Sequence, residues 1–335
     1  PMKTAFLKWS SRAFLFAGIL SFTVACSDDD DDNNNNNPQN KTSIADVASN
    51  DPELSTLLAA LQATGLDAVV DDDNANLTVF APTNQAFDAL LVALGVTDLN
   101  GLVSELGAEA VTEILKYHVI GTEVMSSAIN DGYVTTLGEN ARGEMMSMYI
   151  STNGGVIIND SAASVIAADI DADNGVIHKV NAVILPPTVA ALVASNPNYS
   201  SLLAAVQAAD ASVLSTLNDE SLALTVFGPD NDAFADALTE LGLADLNELV
   251  STLGQSGVTN VLLYHVLTDE ITSSEVSTGT DIGTALAGFN IDITVGMDGS
   301  VTLTDELGRM ATVTMVDIQG SNGVIHMIDK VILPQ

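Results

Sequence analysis

Apolar residues recur three and four positions apart in the first part of the chain, then shift to alternation. From Ile44 to Ala63, Leu54, Leu57, Leu58 and Leu61 form one stripe, which predicts helix. Asn50-Asp51-Pro52 should break that stretch into two helices, because Asp51 can cap and Pro52 suits a first helical position. Leu77 to Ala81 reads as a short strand. Pro82-Thr83-Asn84 then turns the chain into a helix carrying Ala86, Phe87, Leu90, Leu91 and Leu94. Leu99–Leu106 and Ala108–Leu115 read as two more short helices. From Tyr117 the pattern becomes that of strands: Tyr117–Ile120, Tyr133–Leu137, Met145–Ser151, Val156–Asn159, Ser164–Ile170 and Val176–Leu185. Helices gathered ahead of strands imply an α+β fold, not the regular alternation of a parallel α/β sheet.

The pattern then starts again. Leu57-Leu58-Ala59-Ala60 recurs as Leu202-Leu203-Ala204-Ala205. Thr78-Val79-Phe80-Ala81-Pro82 recurs as Thr225-Val226-Phe227-Gly228-Pro229, and Tyr117-His118-Val119 as Tyr264-His265-Val266. Asn174-Gly175-Val176-Ile177-His178 recurs as Asn322-Gly323-Val324-Ile325-His326, and both units close on Val-Ile-Leu-Pro. Each unit is large enough to be a domain, so the expectation is two domains, at 40–187 and 188–335, with the boundary after Pro186-Pro187 where proline stops a strand.

Three ordered motifs, each present twice, resemble the signatures of fasciclin domains. Thr78-Val79-Phe80-Ala81-Pro82-Thr83-Asn84 followed by Ala86-Phe87 is similar to the first signature. Tyr117-His118 is similar to the central pair, and Asn174–His178 running on to Leu185-Pro186 to the closing one. The second unit departs at Gly228 and Asp230, although Asp230 can still cap a helix. The resemblance implies two tandem domains, each a β-wedge of about seven strands with helices packed against it. It also implies extracellular adhesion or matrix-like binding. In some animal members an Asp-Ile pair before the closing signature, and the Tyr-His region, are linked to receptor binding. Asp169-Ile170 and Asp317-Ile318 stand at that place and are the candidate binding residues. Ala167-Ala168 and Met315-Val316 precede them, in place of the acidic and proline residues of those proteins, so integrin-type recognition is not expected here.

Before the repeat the chain looks like an address. Lys3, Lys8 and Arg12 precede an apolar run, Ala13–Ala25, too short to span a bilayer comfortably and suited to a signal peptide over 1–25. Thr23-Val24-Ala25-Cys26 resembles a bacterial lipobox, which makes Cys26 the lipidation site. The Asp and Asn runs from Asp28 to Asn37 have nothing to bury and read as a tether over 26–39. An acidic run directly after a lipidated cysteine resembles an export signal to the outer face of the outer membrane. Cys26 is the single cysteine, so no intramolecular disulfide is expected.

The formal net charge is −35, and every acid follows Cys26. Such a surface repels phosphate backbones and anionic lipid, so nucleic acid is excluded as a partner, and the membrane is met only through acylated Cys26. The four histidines, His118, His178, His265 and His326, are repeat-locked. With period two, His178 shares a face with Val176, Val180, Ala182 and Ile184, and His326 with Val324, Ile328 and Ile332, so they read as hydrogen-bonded core groups and no metal is expected. With Tyr117 and Tyr264 they form a structural set. Asp169, Asp171 and Asp173 before Asn174-Gly175 miss the EF-hand pattern, since Asn174 stands where glycine should and Val180 where glutamate should. A solvated strand end and an Asn-Gly turn are expected instead. Gly254-Gln255-Ser256-Gly257 is not a nucleophile elbow, and no phosphate loop or dinucleotide fingerprint occurs, so neither catalysis nor a cofactor is expected.

The function expected is non-catalytic surface adhesion, binding extracellular polysaccharide, matrix or a neighbouring cell through two modules. The alternative is a capture lipoprotein delivering a small molecule or glycan to a transport or enzyme system. The low aromatic content, 4%, weighs against sugar stacking.

Overall fold

The structure is a computed structural model that describes residues 42–335. The leader 1–25, Cys26 and the tether to residue 39 lie outside the described residues.

Domain 1 opens with α1 (Ile44–Asn50), capped by Ser43 in a reciprocal box with Asp46, and a 3₁₀ turn at Pro52–Leu54 capped by Asp51. Next come α2 (Ser55–Thr64), ended by Gly65 at φ 73°, and α3 (Asp67–Val70). Then follow β1 (Leu77–Pro82), α4 (Asn84–Leu94), α5 (Leu99–Leu106) and α6 (Ala108–Tyr117). Short β2 (Val119–Ile120) precedes β3 (Gly132–Glu139), β4 (Met145–Ser151), β5 (Ile157–Ile158), β6 (Ala163–Ala172) and β7 (Gly175–Val180).

Domain 2 repeats the order: α7 (Val189–Ser195), α8 (Ser200–Ala208), α9 (Ala211–Leu217), β8 (Leu224–Pro229), α10 (Asn231–Leu241) and α11 (Leu246–Tyr264). A kink at Gly254 divides α11 where domain 1 has two helices. Strands β9 (Val266–Leu267), β10 (Gly279–Gly283), β11 (Asn290–Val295), β12 (Val301–Thr304), β13 (Met310–Gly320) and β14 (Gly323–Ile328) complete it.

Each domain holds one seven-stranded sheet, in the orders β2-β1-β7-β6-β5-β4-β3 and β9-β8-β14-β13-β12-β11-β10. The first and last long strands of each domain pair in parallel at the centre, β1 with β7 and β8 with β14, while the other pairs are antiparallel. One core lies between helices and sheet, around Leu57, Phe87, Leu115 and Ile177 in domain 1. A second lies inside the fold of the sheet, around Phe80, Tyr117, Met148 and Ile184. The sheet bends over far enough that its edge strands β2 and β3 come alongside one another.

Three sequence expectations need correction. Tyr117 closes α6 instead of opening a strand, because its ring is driven into the inner core while the chain is still helical. Strand β7 ends at Val180, before the prolines, so Ala182 and Ile184 are not on a strand with His178. Nor does β7 show one apolar face: every residue of it is buried, as parallel pairing covered on both sides requires. Its turn also demands glycine, since a Cβ on Gly175 (φ +144°) would lie 2.0 Å from the Leu77 carbonyl oxygen.

Candidate functional site

The Asp-Ile pairs sit on bulges. Strand β6 slips register against β7 between Ala167 and Ile170, and β13 does the same against β14 between Met315 and Ile318. At the slips, Asp169 and Asp317 adopt left-handed φ of 58° and 57°. Such strain persists only where surrounding bonds hold it. The Asp169 amide donates to His178 Nδ1 at 3.1 Å, and its carboxylate accepts from the Ser126 amide at 2.6 Å and from the Ser126 hydroxyl. His178 Nε2 in turn donates to the Val124 carbonyl at 2.9 Å. Domain 2 repeats the clamp: Asp317 N–H to His326 Nδ1, the Ser273 amide to Asp317, and His326 Nε2 to the Ile271 carbonyl. The loop after the short edge strand is thereby tied to the bulge in both domains. The Ser126 hydroxyl and amide hold the exposed Asp169 carboxyl below its ordinary range, so it stays charged at neutral pH.

The two halves of each pair go to different places. Asp169 and Asp317 are exposed, whereas Ile318 is 2% exposed within the helix-side core and Ile170 packs against the matching core of domain 1. Near the bulges large apolar side chains are exposed: Ile166 at 57%, three residues before Asp169, and Met315 at 44% and Val316 at 43%, directly before Asp317. Each domain thus presents exposed apolar side chains ahead of a fixed carboxylate.

The Tyr-His residues are internal. His118 Nδ1 donates to the Ile114 carbonyl at 2.7 Å and Nε2 accepts from the Ile184 amide at 2.9 Å; His265 makes the same bonds with Val261 and Ile332. Both rings are neutral, their pKa lowered by burial to about 4. Every ring nitrogen of the four histidines is therefore engaged with backbone. The Tyr117 hydroxyl donates to the Ser147 carbonyl at 2.7 Å, and Tyr264 does so to Asn290. Among the described residues no group of three or more His, Cys, Asp or Glu side chains is placed to hold a metal.

Asn174 is more than a turn residue. Buried at 1% exposure, it accepts from the Ile44 amide at 2.8 Å and donates to the carbonyls of Val70 and Asp72 at 2.9 and 3.1 Å. Asn322 pins Val189, Leu217 and Asp219 in the same way. Only its recurrence within the closing motif could have marked it.

The junction between domains joins the Tyr133 ring, packed against the helix-side core of domain 2, to a cluster of polar groups, and periodicity gave no sign of it. The β3–β4 hairpin tip brings Asn140 against domain 2, where it donates to Glu270 at 3.2 Å and to the Gly320 carbonyl at 3.3 Å. Gln319 also donates to Glu270, and its amide donates to the Ser147 hydroxyl at 3.0 Å. Arg142 meets Glu275 at 3.2 Å at the rim, and the Tyr133 hydroxyl donates to the Leu192 carbonyl at 3.1 Å. Burial raises the Glu270 carboxyl above its ordinary value.

Comparison with known proteins gives this architecture a family. The Fasciclin domain matches twice, over residues 52–186 and 197–334. The chain belongs to the Fasciclin domain family. Among its relatives, protein sll1483 of Synechocystis is 37% identical over 147 residues, covering 44% of this chain and 73% of that protein. Pig transforming growth factor-beta-induced protein ig-h3 is 28% identical over 262 residues, covering 77% of this chain but 35% of its own length. The cell surface glycolipoprotein MPB83 of Mycobacterium bovis is 29% identical over 147 residues, 43% of this chain and 60% of that protein. A FAS1 domain pair from the insect cell adhesion molecule fasciclin I superposes with a TM-score of 0.53 at 19% identity, covering 83% of this chain and 97% of that one, which shows shared fold. Fasciclin-domain proteins are typically adhesion or surface proteins and generally not enzymes.

Proposed function

We propose that this fasciclin-domain pair is a non-catalytic adhesion protein of the bacterial surface, gripping extracellular polysaccharide, matrix or a neighbouring cell through its two bulges. The observation that carries this reading is the recurrence of one kind of surface. On the bulged strand of both domains exposed apolar residues precede a fixed carboxylate, Ile166 ahead of Asp169 and Met315-Val316 ahead of Asp317, although the large side chains stand at different steps of the strand. The junction holds the two surfaces in one geometry, so the second contact forms at high effective concentration and each alone can be weak. The names of the insect cell adhesion molecule and the mycobacterial surface glycolipoprotein support the same assignment. Acylated Cys26 would hold the pair at the outer membrane, facing outward on its Asp/Asn tether.

The test is retention of the protein on panels of immobilised polysaccharides and matrix proteins, for wild type, Ile166→Asp, Val316→Asp and the double variant. Loss of one site should weaken retention about a hundredfold, because avidity goes with it, and loss of both should abolish it. A double variant retained like wild type would overturn the assignment. Cys26→Ser should release the protein from the membrane fraction.

A further inference from the structure

A cleft of about 580 Å³ opens in domain 1 where the bent sheet brings its two edges together. Phe80, Ile120, Val124, Ile129, Tyr133 and Leu137 form much of its wall, with Asn130, Asp131 and Thr135 also lining it. That volume is typical of small-molecule sites, as is an apolar wall with a few polar groups.

Domain 2 is built differently at the matching hairpin. Its hairpin between β10 and β11 turns inward, and the Ala285 amide donates to the Val266 carbonyl of edge strand β9 at 2.7 Å. Leu286 and Phe289 from that hairpin pack on the inner core beside Ile271, Val276 and Ile282. The corresponding hairpin of domain 1 carries Asn140 and Arg142 and is committed to the junction instead. The inner position of Phe289 is itself filled in domain 1, by buried Met146, whose carbonyl accepts from Thr136 as that of Phe289 does from Thr284, so the cleft is a space beside that position with no counterpart side chain in it.

We infer that the domain 1 cleft binds a neutral, apolar small molecule of about the size of a lipid tail or terpenoid, held against the apolar wall of Phe80, Ile120, Val124, Ile129, Tyr133 and Leu137. Neutrality follows from the lining. No Lys, Arg or His contributes to the wall, Asp131 stands in it, and the chain carries −35 overall, so an anionic head would go unpaired and be repelled. Binding here is independent of the adhesive surfaces proposed above.

The probe is N-phenyl-1-naphthylamine, a neutral fluorophore, titrated into the full chain and displaced with 1-tetradecanol or tetradecanoate. Because every variant carries the same N-terminal segment, differences between variants report on the domains. Thr135→Phe and Ala128→Phe each project a ring from the wall, and each should weaken probe binding at least fivefold while far-UV circular dichroism and melting stay near wild type. The alcohol should displace the probe at a concentration at least tenfold below that of the carboxylate. Folded variants that bind like wild type would overturn the inference. So would loss of binding with Ala237→Phe, which fills the apolar pocket between α10 and α11 of domain 2. Equal displacement by alcohol and carboxylate would overturn the neutral class.

Discussion

Replacing Asn174 with alanine should unfasten domain 1 from its own first helices. The amide joins the start of α1, the end of α3 and the turn before β7 in one buried contact. Truncation strands the Ile44 amide and the Val70 carbonyl, whose bonds to it are wholly buried, while the Asp72 carbonyl is partly exposed and can turn to water. A buried polar group left without a partner costs about 1–3 kcal/mol, so the two stranded groups sum to about 4 kcal/mol. That is a large share of a domain's usual stability of roughly 5–15 kcal/mol. Urea unfolding followed by circular dichroism should show the domain 1 transition moving to lower denaturant, with the domain 2 transition in place; Asn322→Ala should do the reverse. Asn174→Asp separates shape from bonding. It keeps the acceptor for Ile44 but turns an oxygen toward the Val70 carbonyl, so it should also destabilise. A loss below about 1 kcal/mol in both Asn174 variants would refute the pin.

Acid should weaken both domains through their inner histidines. His118 and His265 titrate near 4 when folded, against an ordinary 6.5, so below 6.5 the unfolded chain takes up a proton the folded one refuses. Their contribution is complete above that pH and is lost as pH falls toward 4, about 3 kcal/mol per domain at the limit; parallel melting curves for wild type and His118→Gln between these values would sink the idea. Gly175→Ala should prevent domain 1 from folding, since the added carbon would overlap the Leu77 carbonyl, and Gly323→Ala should do the same to domain 2 at Leu224; a soluble variant with native exchange protection would contradict this. Asn140→Asp sets a carboxylate against Glu270 and the Gly320 carbonyl, so the pair should open at neutral pH with a larger radius of gyration by X-ray scattering, while each domain melts as before. An unchanged radius would show that the amide is dispensable at the junction.

The elements written in local chemistry were legible. The cap at Asp51, the turn at Pro82-Thr83-Asn84 and the amphipathic stripes place the helices they mark to within a few residues. What failed was set by distant partners. Tyr117-His118-Val119-Ile120 has strand composition, yet two of its residues are claimed by the end of a helix because the tyrosine ring has a core to fill. The even spacing assumed for His178 holds only where one face of a strand meets water, and β7 has none. Asn174 reads as turn chemistry because Asn-Gly satisfies that reading locally, and nothing adjacent in sequence reveals Ile44 or Val70. The bulge aspartates lie inside strand-like stretches whose register slip depends on pairing. The junction escaped for another reason: hairpin tips carry no period, and the contact joins residues far apart in sequence, 59 between Tyr133 and Leu192 and 130 between Asn140 and Glu270.

That junction makes the two modules non-interchangeable. In domain 1 the places of Glu270, Gln319 and Gly320 are taken by Glu123, Asp171 and Ala172, and in domain 2 the place of the Asn140 hairpin is taken by a shorter one folded onto its own core. One copy supplies the hairpin and the other receives it, so their sequence order is part of the architecture. A chain with the modules exchanged would keep both folds and both motifs. It would lose the grip between them, leaving two independent beads where the native order makes one joined pair.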